Sequence, residues 1–582
     1  MNFVKPKTLY VMKKAITFLM FICMFATASF AQWTTGGTQI SSSTDDHHRP
    51  FTSAVPGGGA YITWMATNTT PVNMIYLSGY DQNGNIFPGY TAGGILVSQP
   101  GDFYAPYVVT SEDSSAIVAW YGYPTSLTKC HIYVQKYSLA GVPQWNGGNP
   151  VKVSGGTVHN HKYPIAVSDM HKGVYITWTR FDSITGASSP DVFLQHIDST
   201  GNVASGWSAT GSAVANTLNV REYYPRLALT PDESAVYIMY SEGLIGNTSA
   251  KLKKINSSDG TLATGWSANG LILTPGVNVY PGVYNDMYLF CDNLNNAECF
   301  WVEARSSANG EIYMQRVTPA ASILLTANGS CVGANTTDGT SYLEIVKNEE
   351  GNFLLSYNDY ATSYDVDAKK IAPDGTTIWQ NLTVTTNGTS AYPKVVSDGK
   401  KGMYIFYRGT SAGKLYALAL DSLGVAYSGW TVPGTDFGSM SNYSGFNPNY
   451  DFDAVSTNAG EAIVAWNRLT GSTNDIFACN LLSTGLNCSP PVFIQETQEN
   501  NEINIYPNPV ENTLTVQFSS TTNANENDIF CVFDITGKLI LKTTVLPLIE
   551  NAINTEEIAN GMYVFELKNK QEVLQRGKLI KQ

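Results

Sequence analysis

Short apolar runs that close on an aromatic recur along most of the chain: Tyr61 to Trp64, Ala116 to Trp120, Tyr175 to Trp178, Val236 to Tyr240, Cys299 to Trp301, Phe353 to Tyr357, Tyr404 to Tyr407 and Ile463 to Trp466. They are too short for helices and are bounded by Gly or Asp turns, so each predicts a strand. After a variable polar loop a second, alternating strand follows, as in Ile132-Tyr133-Val134-Gln135, Val192-Phe193-Leu194-Gln195 and Ile312-Tyr313-Met314-Gln315. These strands end in turns such as Asp81-Gln82-Asn83-Gly84 and Asp198-Ser199-Thr200-Gly201, where glycine supplies the positive φ of a tight reversal. A tryptophan segment closes several units, at Trp145, Trp207, Trp266, Trp379 and Trp430.

The pattern repeats at intervals of about 50 to 62 residues, and prolines mark one phase of it: Pro50, Pro106, Pro164, Pro225, Pro281, Pro393 and Pro448, with Leu343 standing in for the missing member. Eight units result; seven, with one irregular unit, is the alternative. Each unit holds four strands, with the marker proline expected at the first position of strand one, where its missing N–H breaks no ladder bond. Four-stranded units repeated radially are β-propeller blades, so the predicted fold is an all-β, eight-bladed (alternatively seven-bladed) propeller. The last unit lacks a fourth strand before Ser489-Pro490-Pro491, whereas Trp33 to Ser42 reads like Trp145 to Ser154, so the N-terminal strand is expected to complete the last blade and remove both sheet edges. Over residues 33 to 485 the pattern resembles that of bacterial propeller repeats such as the periplasmic Tol-system propeller, which implies a fold and no activity.

Composition fits this picture. Charged residues make up only 14% of the 582, while turn-forming and aromatic types are plentiful. A net charge of −13 with no basic face argues against nucleic acid as a partner. Lys13 and Lys14 precede an apolar run from Ala15 to Ala28, and Ser29-Phe30-Ala31 offers small residues for cleavage before Gln32, which predicts a signal peptide over 1–31. That run falls short of the ~20 apolar residues of a spanning helix, so no membrane-spanning segment is expected in the mature chain. Seven cysteines then remain, and Cys291 with Cys299, or Cys479 with Cys488, are near enough in sequence to bridge; buried free thiols are the alternative. No Cys-x-x-Cys or His-x-x-x-His spacing suggests zinc, and no cofactor is expected; the pairs His47-His48 and His159/His161, with Asp45 or Asp46, read first as exposed histidines and only second as metal ligands.

Beyond a polar linker over 486–502 the period stops. Residues 503–582 carry Ile505-Tyr506-Pro507-Asn508-Pro509, then Leu514-Thr515-Val516, Val532-Phe533-Asp534-Ile535-Thr536-Gly537-Lys538, Gly561-Met562-Tyr563-Val564 and the basic ending Lys578-Leu579-Ile580-Lys581. In order and spacing this series resembles the type A C-terminal sorting domain of Bacteroidetes type IX secretion cargo. The resemblance implies a small C-terminal β-sandwich read by the type IX machinery, with Pro507, Asn508, Pro509, Gly537, Gly561, Tyr563 and Lys578 as motif residues and a secreted or outer-surface location.

In the predicted propeller, the loops entering strand one and those joining strands two and three share a face. They carry Asp45, Asp46, His47, His48, His159, His161, Asp182 and a series of tyrosines that includes Tyr280, Tyr342 and Tyr392. Tyrosines beside charges suit sugars or extended peptides, which makes Arg49, Tyr163, Arg180, Tyr224, Arg226, Arg305, Arg408 and Arg468 the candidate ligand-binding residues. Two function classes follow. One is a non-enzymatic surface propeller binding a glycan, peptide or surface protein. The other is a sialidase-like or other glycan-cleaving enzyme, in which arginines converge on a carboxylate beside a Tyr–Glu pair. No catalytic residue is assigned.

Overall fold

The computed structural model describes residues 33–482 and 503–582, except 35, 43, 69–71, 126–127, 182–188, 245–246, 275–277, 280–286, 306–309, 334–339, 360–364, 382–383, 386–389, 410–412, 431–433, 442–450, 459, 519–527, 535–537, 547–549 and 569–572. The segments expected to be the signal peptide and the linker, together with Pro281, Pro448, Tyr280, Asp182, Cys488 and Gly537, therefore lie outside the described residues. The chain divides into two compact units, Met1–Ser489 and Pro490–Gln582. Both are all-β: among the described residues the only helical element is a 3-10 turn, Asn146–Gly148.

Among the described residues, the first unit holds eight sheets of antiparallel strands that resemble propeller blades. Sheet 1 is Asp46–Ala54, Ala60–Thr67, Asn73–Tyr80 and Ile95–Leu96, and sheet 2 is Gly101–Thr110, Ala116–Pro124, His131–Tyr137 and Val151–Lys152. Sheets 3 to 8 have as first strands Asn160–Ser168, Glu222–Leu229, Met287–Cys291, Thr340–Lys347, Ser390–Ser397 and Phe452–Asn458; sheet 5 also takes in Asn278–Val279. The second strands are buried almost throughout and run past the aromatic read from the sequence, as Ala60–Thr67 does past Trp64, Ala116–Pro124 past Trp120 and Val174–Phe181 past Trp178. That ring packs on its register partner in the third strand, as in Trp64 on Tyr76 (5.9 Å), Trp120 on Tyr133 (6.2 Å) and Trp178 on Phe193 (5.8 Å), which explains why strand three so often carries an aromatic.

One hydrogen bond recurs between sheets. The tryptophan ahead of the fourth strand, or within it in sheet 6, donates its indole N–H to the turn carbonyl of the following sheet: Trp145 to Ser199 (3.0 Å), Trp207 to Ser257 (3.0 Å), Trp266 to Pro319 (2.9 Å) and Trp379 to Ser422 (3.0 Å). Trp33 does the same to Gln82 of sheet 1 (2.9 Å), although it enters from the opposite end of the chain. The strand behind it, Thr38–Gln39, is the fourth strand of sheet 8, pairing Thr38 with Ala478 and Gln39 with Phe477, and Ile40 N donates to Ile476 O (2.8 Å). Gly37, at φ 91°, lies so close beneath Trp466 that a Cβ would stand 2.3 Å from the ring, just as Gly211 lies against Trp178 and Gly329 against Trp301.

Two expectations are corrected. The marker prolines do not open the first strands. Pro50, Pro106, Pro164, Pro225 and Pro393 sit inside them, at a β-bulge where the register to strand two slips. A bulged residue has no ladder partner, so a missing N–H costs nothing there. In sheets 5 and 8 the register puts Met287 and Phe452 where the other sheets carry the marker. Cys291 and Cys299 are free thiols. Cys299 is paired in register with Leu289 and Cys291 with Ala297, a diagonal placement too wide for a disulfide. Cys479 is disulfide-bonded.

The second unit is a two-sheet fold. Ile503–Tyr506, Thr513–Phe518 and Asn551–Asn554 form one sheet, and Leu539–Val545, Asp528–Asp534, Gly561–Lys568 and Val573–Lys581 the other. Val510, Leu514, Val516, Phe530, Val532, Phe565 and Leu567 make the core between them.

Candidate functional site

Antiparallel pairing brings the start of each first strand and the end of each second strand to the same end of its sheet. At that end the bulge puts one residue of the first strand into the left-handed region: Arg49 (φ 56°), Ala105 (φ 48°), Tyr163 (φ 59°), Tyr224 (φ 54°), Tyr342 (φ 53°) and Tyr392 (φ 59°). For a residue with a Cβ this conformation costs about 1–2 kcal/mol. It persists because ladder pairs on both sides fix the bulge, and it re-aims the side chain. Tyrosine fills four of the six positions. Tyr342 and Tyr392, from neighbouring sheets, meet edge to face at 4.4 Å. Tyr163 is 44% exposed and packs edge-on against Tyr121 (5.6 Å) and Phe181 (6.1 Å).

Directly below is a second set, defined by register as the residue opposite the one preceding each strand-two aromatic: Phe51, Tyr107, Ile165, Arg226, Tyr288, Glu344, Lys394 and Asp453. Several of them meet across neighbouring sheets. Phe51 packs on Tyr107 (4.3 Å), and the Lys394 ammonium bridges Glu344 (3.3 Å) and Asp453 (3.0 Å). Asp453, in the last sheet, accepts both the N–H and the hydroxyl of Thr52 in the first (2.7 Å each). Arg226 donates to Met287 O (2.9 Å), and Tyr288 to Leu343 O (2.8 Å). Burial pushes the Glu344 carboxyl upward against the pull of Lys394. Sequence reading did not single out Tyr107, Tyr288, Glu344, Lys394 or Asp453; the position immediately after the marker signals Tyr107, Glu344 and Lys394, whereas Pro281 and Pro448 give no such signal for Tyr288 and Asp453.

The sequence-predicted residues separate into three groups. Arg49, Tyr163 and Tyr224 share the bulge position in sheets 1, 3 and 4, and Arg226 belongs to the level below. Arg180, Arg305 and Arg468 stand apart in sheets 3, 5 and 8. Each lies over the strand-three aromatic of its own sheet: Phe193 at 4.5 Å, Tyr313 at 4.0 Å and Phe477 at 3.5 Å. Arg180 also pairs with Asp191 and Arg305 with Glu303, while Arg468 donates to Gly36 O (3.1 Å). Arg408 is buried beside Asp451 (3.6 Å).

A Tyr–Glu pair is present: Tyr313 donates to Glu311 (2.8 Å). Both are buried, however, and burial together with that hydrogen bond raises the phenol, the opposite of what a nucleophilic tyrosine needs. The histidines have structural partners. Trp64 donates to His47 Nδ1 (2.9 Å) and Trp178 to His161 Nδ1 (2.8 Å). Burial, followed by nearby His131 and Arg180, pushes His161 down to about 3, and burial pushes His48 and His131 down to about 4. Among the described residues no group of three or more His, Cys, Asp or Glu is placed to hold a metal.

In the second unit Tyr563 is buried in the core and donates to Ala559 O (2.7 Å), and Gly561 lies at the start of the strand that pairs with the C-terminal one. Asn508, between Pro507 and Pro509, bonds to that C-terminal strand at Lys578 O (2.7 Å) and Ile580 N (2.9 Å). The Lys578 side chain is exposed.

Residues 504–582 match the family model described as a secretion system C-terminal sorting domain. No curated protein matches the chain by sequence. Similar solved structures include a protein of unknown function from Dyadobacter fermentans, at 10% identity and TM-score 0.33 over 77% of this chain and 99% of that one. Puromycin hydrolase, at 13% and 0.41, is matched over 76% and 61%, and polysaccharide lyase Uly1, at 10% and 0.38, over 69% and 93%. Among the described residues no helix is long and apolar enough to cross a membrane. The order of motifs, the two-sheet fold they build and the family match together make the C-terminal unit a type IX secretion sorting domain, and the chain a protein exported by that route to the cell surface or beyond.

Proposed function

We propose that the mature chain is a surface or secreted eight-bladed β-propeller, closed by its N-terminal strand, that binds a glycan, peptide or surface protein at the tyrosine-lined end of its blades and does no chemistry on it. The full chain divides into a signal peptide over 1–31, the propeller over 32–485, a linker over 486–502 and the sorting domain over 503–582. The row of left-handed tyrosines carries this reading: Tyr163, Tyr224, Tyr342 and Tyr392 repeat one re-aimed position in separate sheets, and Tyr163 stands half exposed there. Rigid tyrosines with Arg49 among them offer apolar faces and hydrogen bonds at low entropy cost. Against catalysis, Arg180, Arg305 and Arg468 are spread over three sheets and each is held by its own ring.

The glycan-cleaving alternative draws support from one place, the Tyr313–Glu311 pair beneath Arg305. A glycan array and a peptide panel probed with the mature chain, run beside hydrolysis of fluorogenic sugars, separate the two. The binding reading expects capture that falls at least tenfold in Tyr163→Ala with Tyr224→Ala, and no turnover. Turnover that is lost in Arg305→Ala would replace it with the enzyme.

A further inference from the structure

Two parts of the sorting motif, Pro507-Asn508-Pro509 and Lys578, are 70 residues apart in sequence and meet at one sheet edge. The C-terminal strand Val573–Lys581 pairs on one side with Gly561–Lys568. On its other side the Asn508 amide donates to Lys578 O (2.7 Å) and accepts from Ile580 N–H (2.9 Å), so one side chain supplies the donor and acceptor of a neighbouring strand. Pro507 and Pro509 have no N–H to offer. Val510 continues the contact, donating to Ile580 O (2.7 Å) and accepting from Gln582 N–H (2.9 Å). The grip is on backbone only, which leaves the Lys578 side chain in solvent. Register pairs Lys578 with Val564 and Ile580 with Met562, and Met562 is 52% exposed, so the ammonium stands on a face with apolar neighbours.

We infer that Asn508 is a positioning residue for export: it clasps the free edge of the terminal strand and thereby displays Lys578, beside Val564 and Met562, to a carboxylate-bearing apolar surface of the secretion machinery. The two motif segments then act as one recognition element. Without the clasp this side of the last strand is held by Val510 alone, at Ile580 and Gln582, and the segment at Lys578 frays and loses its register.

The test uses the full-length chain in a bacterium with a type IX system, comparing Asn508→Ala, Lys578→Ala and the double variant for the fraction released or on the surface against that retained in the periplasm. Hydrogen exchange is measured on the purified mature chain. Both single variants lose export to a similar extent, and the double is no worse than the worse single, as residues in one element behave. The Ile580 amide, resolved from overlapping peptides across 577–582, exchanges roughly tenfold faster in Asn508→Ala, as expected for its lost acceptor, while peptides covering 561–568 are unchanged. Normal export by Asn508→Ala, or losses that multiply in the double variant, overturns the inference. Should Asn508→Ala open the core as well, Asn508→Asp decides, because it keeps the acceptor for Ile580 and loses only the donor to Lys578: reduced export with an intact core supports the clasp, and normal export overturns it.

Discussion

At the scale of single residues, three substitutions separate structural from functional roles. Trp33 is 3% exposed and bonded to Gln82 O, so Trp33→Ala removes a large buried ring as well as a hydrogen bond between the first and last sheets, and chemical denaturation should report a loss of about 3–5 kcal/mol. Tyr163 pays for a left-handed backbone while half exposed. Glycine there relieves the strain and forfeits two edge contacts, so Tyr163→Gly should hold stability within about 1 kcal/mol of the parent while weakening ligand capture. Tyr342, only 7% exposed and locked against Tyr392, should instead lose stability on the same change. His161 supplies a pH test. It is held neutral by burial and ordinary when unfolded, so the unfolded state binds the extra proton between about pH 3 and 6.5; stability is whole above that window and falls on acidification. By pH 5 this amounts to about 2 kcal/mol, and His161→Gln, which still offers Trp178 an acceptor, should shrink the loss between pH 7 and 5 by that much. The strand-two aromatics and the turn glycines were legible in the sequence because each obeys a local rule. The roles of Arg180, Arg305 and Arg468 were not, because a loop arginine reads the same whether it awaits a ligand or lies over a ring of its own sheet.

At the scale of the element, the bulged first strand is where sequence reasoning and structure diverge. Proline lacks an N–H, which suits a strand start and a bulge equally, and the sequence offered no means of choosing between them. Register decides it, and in doing so exposes the level of residues below the tyrosines. Two of the markers, Pro281 and Pro448, had no such equivalence: in those sheets the apolar Met287 and Phe452 hold the place. The ionic chain Glu344, Lys394, Asp453 and Thr52 crosses the first strands of sheets 6, 7, 8 and 1. Asp453→Ala leaves Lys394 with one carboxylate and Thr52 with none, and should cost about 3 kcal/mol in thermal or chemical denaturation. A loss below about 1 kcal/mol would mean that water serves these groups as well as Asp453 does.

At the scale of the molecule, the account rests on the two extremities of the first unit sharing a sheet. The similarity between the segment after Trp33 and that after Trp145 made this expectation possible before any coordinates. Trp33, Gly37 and Thr38–Gln39 each take the place that an internal segment takes in other sheets. Export gives the proposed closed propeller a purpose, since sheets that leave no free edge are suited to life outside the cell without pairing to their neighbours. Thr38 and Ala478 are register partners, near enough for a disulfide if both are cysteine. Oxidation of Thr38→Cys/Ala478→Cys, in a chain whose exposed Cys331 is serine, tests closure most directly. The account predicts a monomer that runs faster than its reduced form on a denaturing gel; thiols that stay free, or that link only one chain to another, would contradict it.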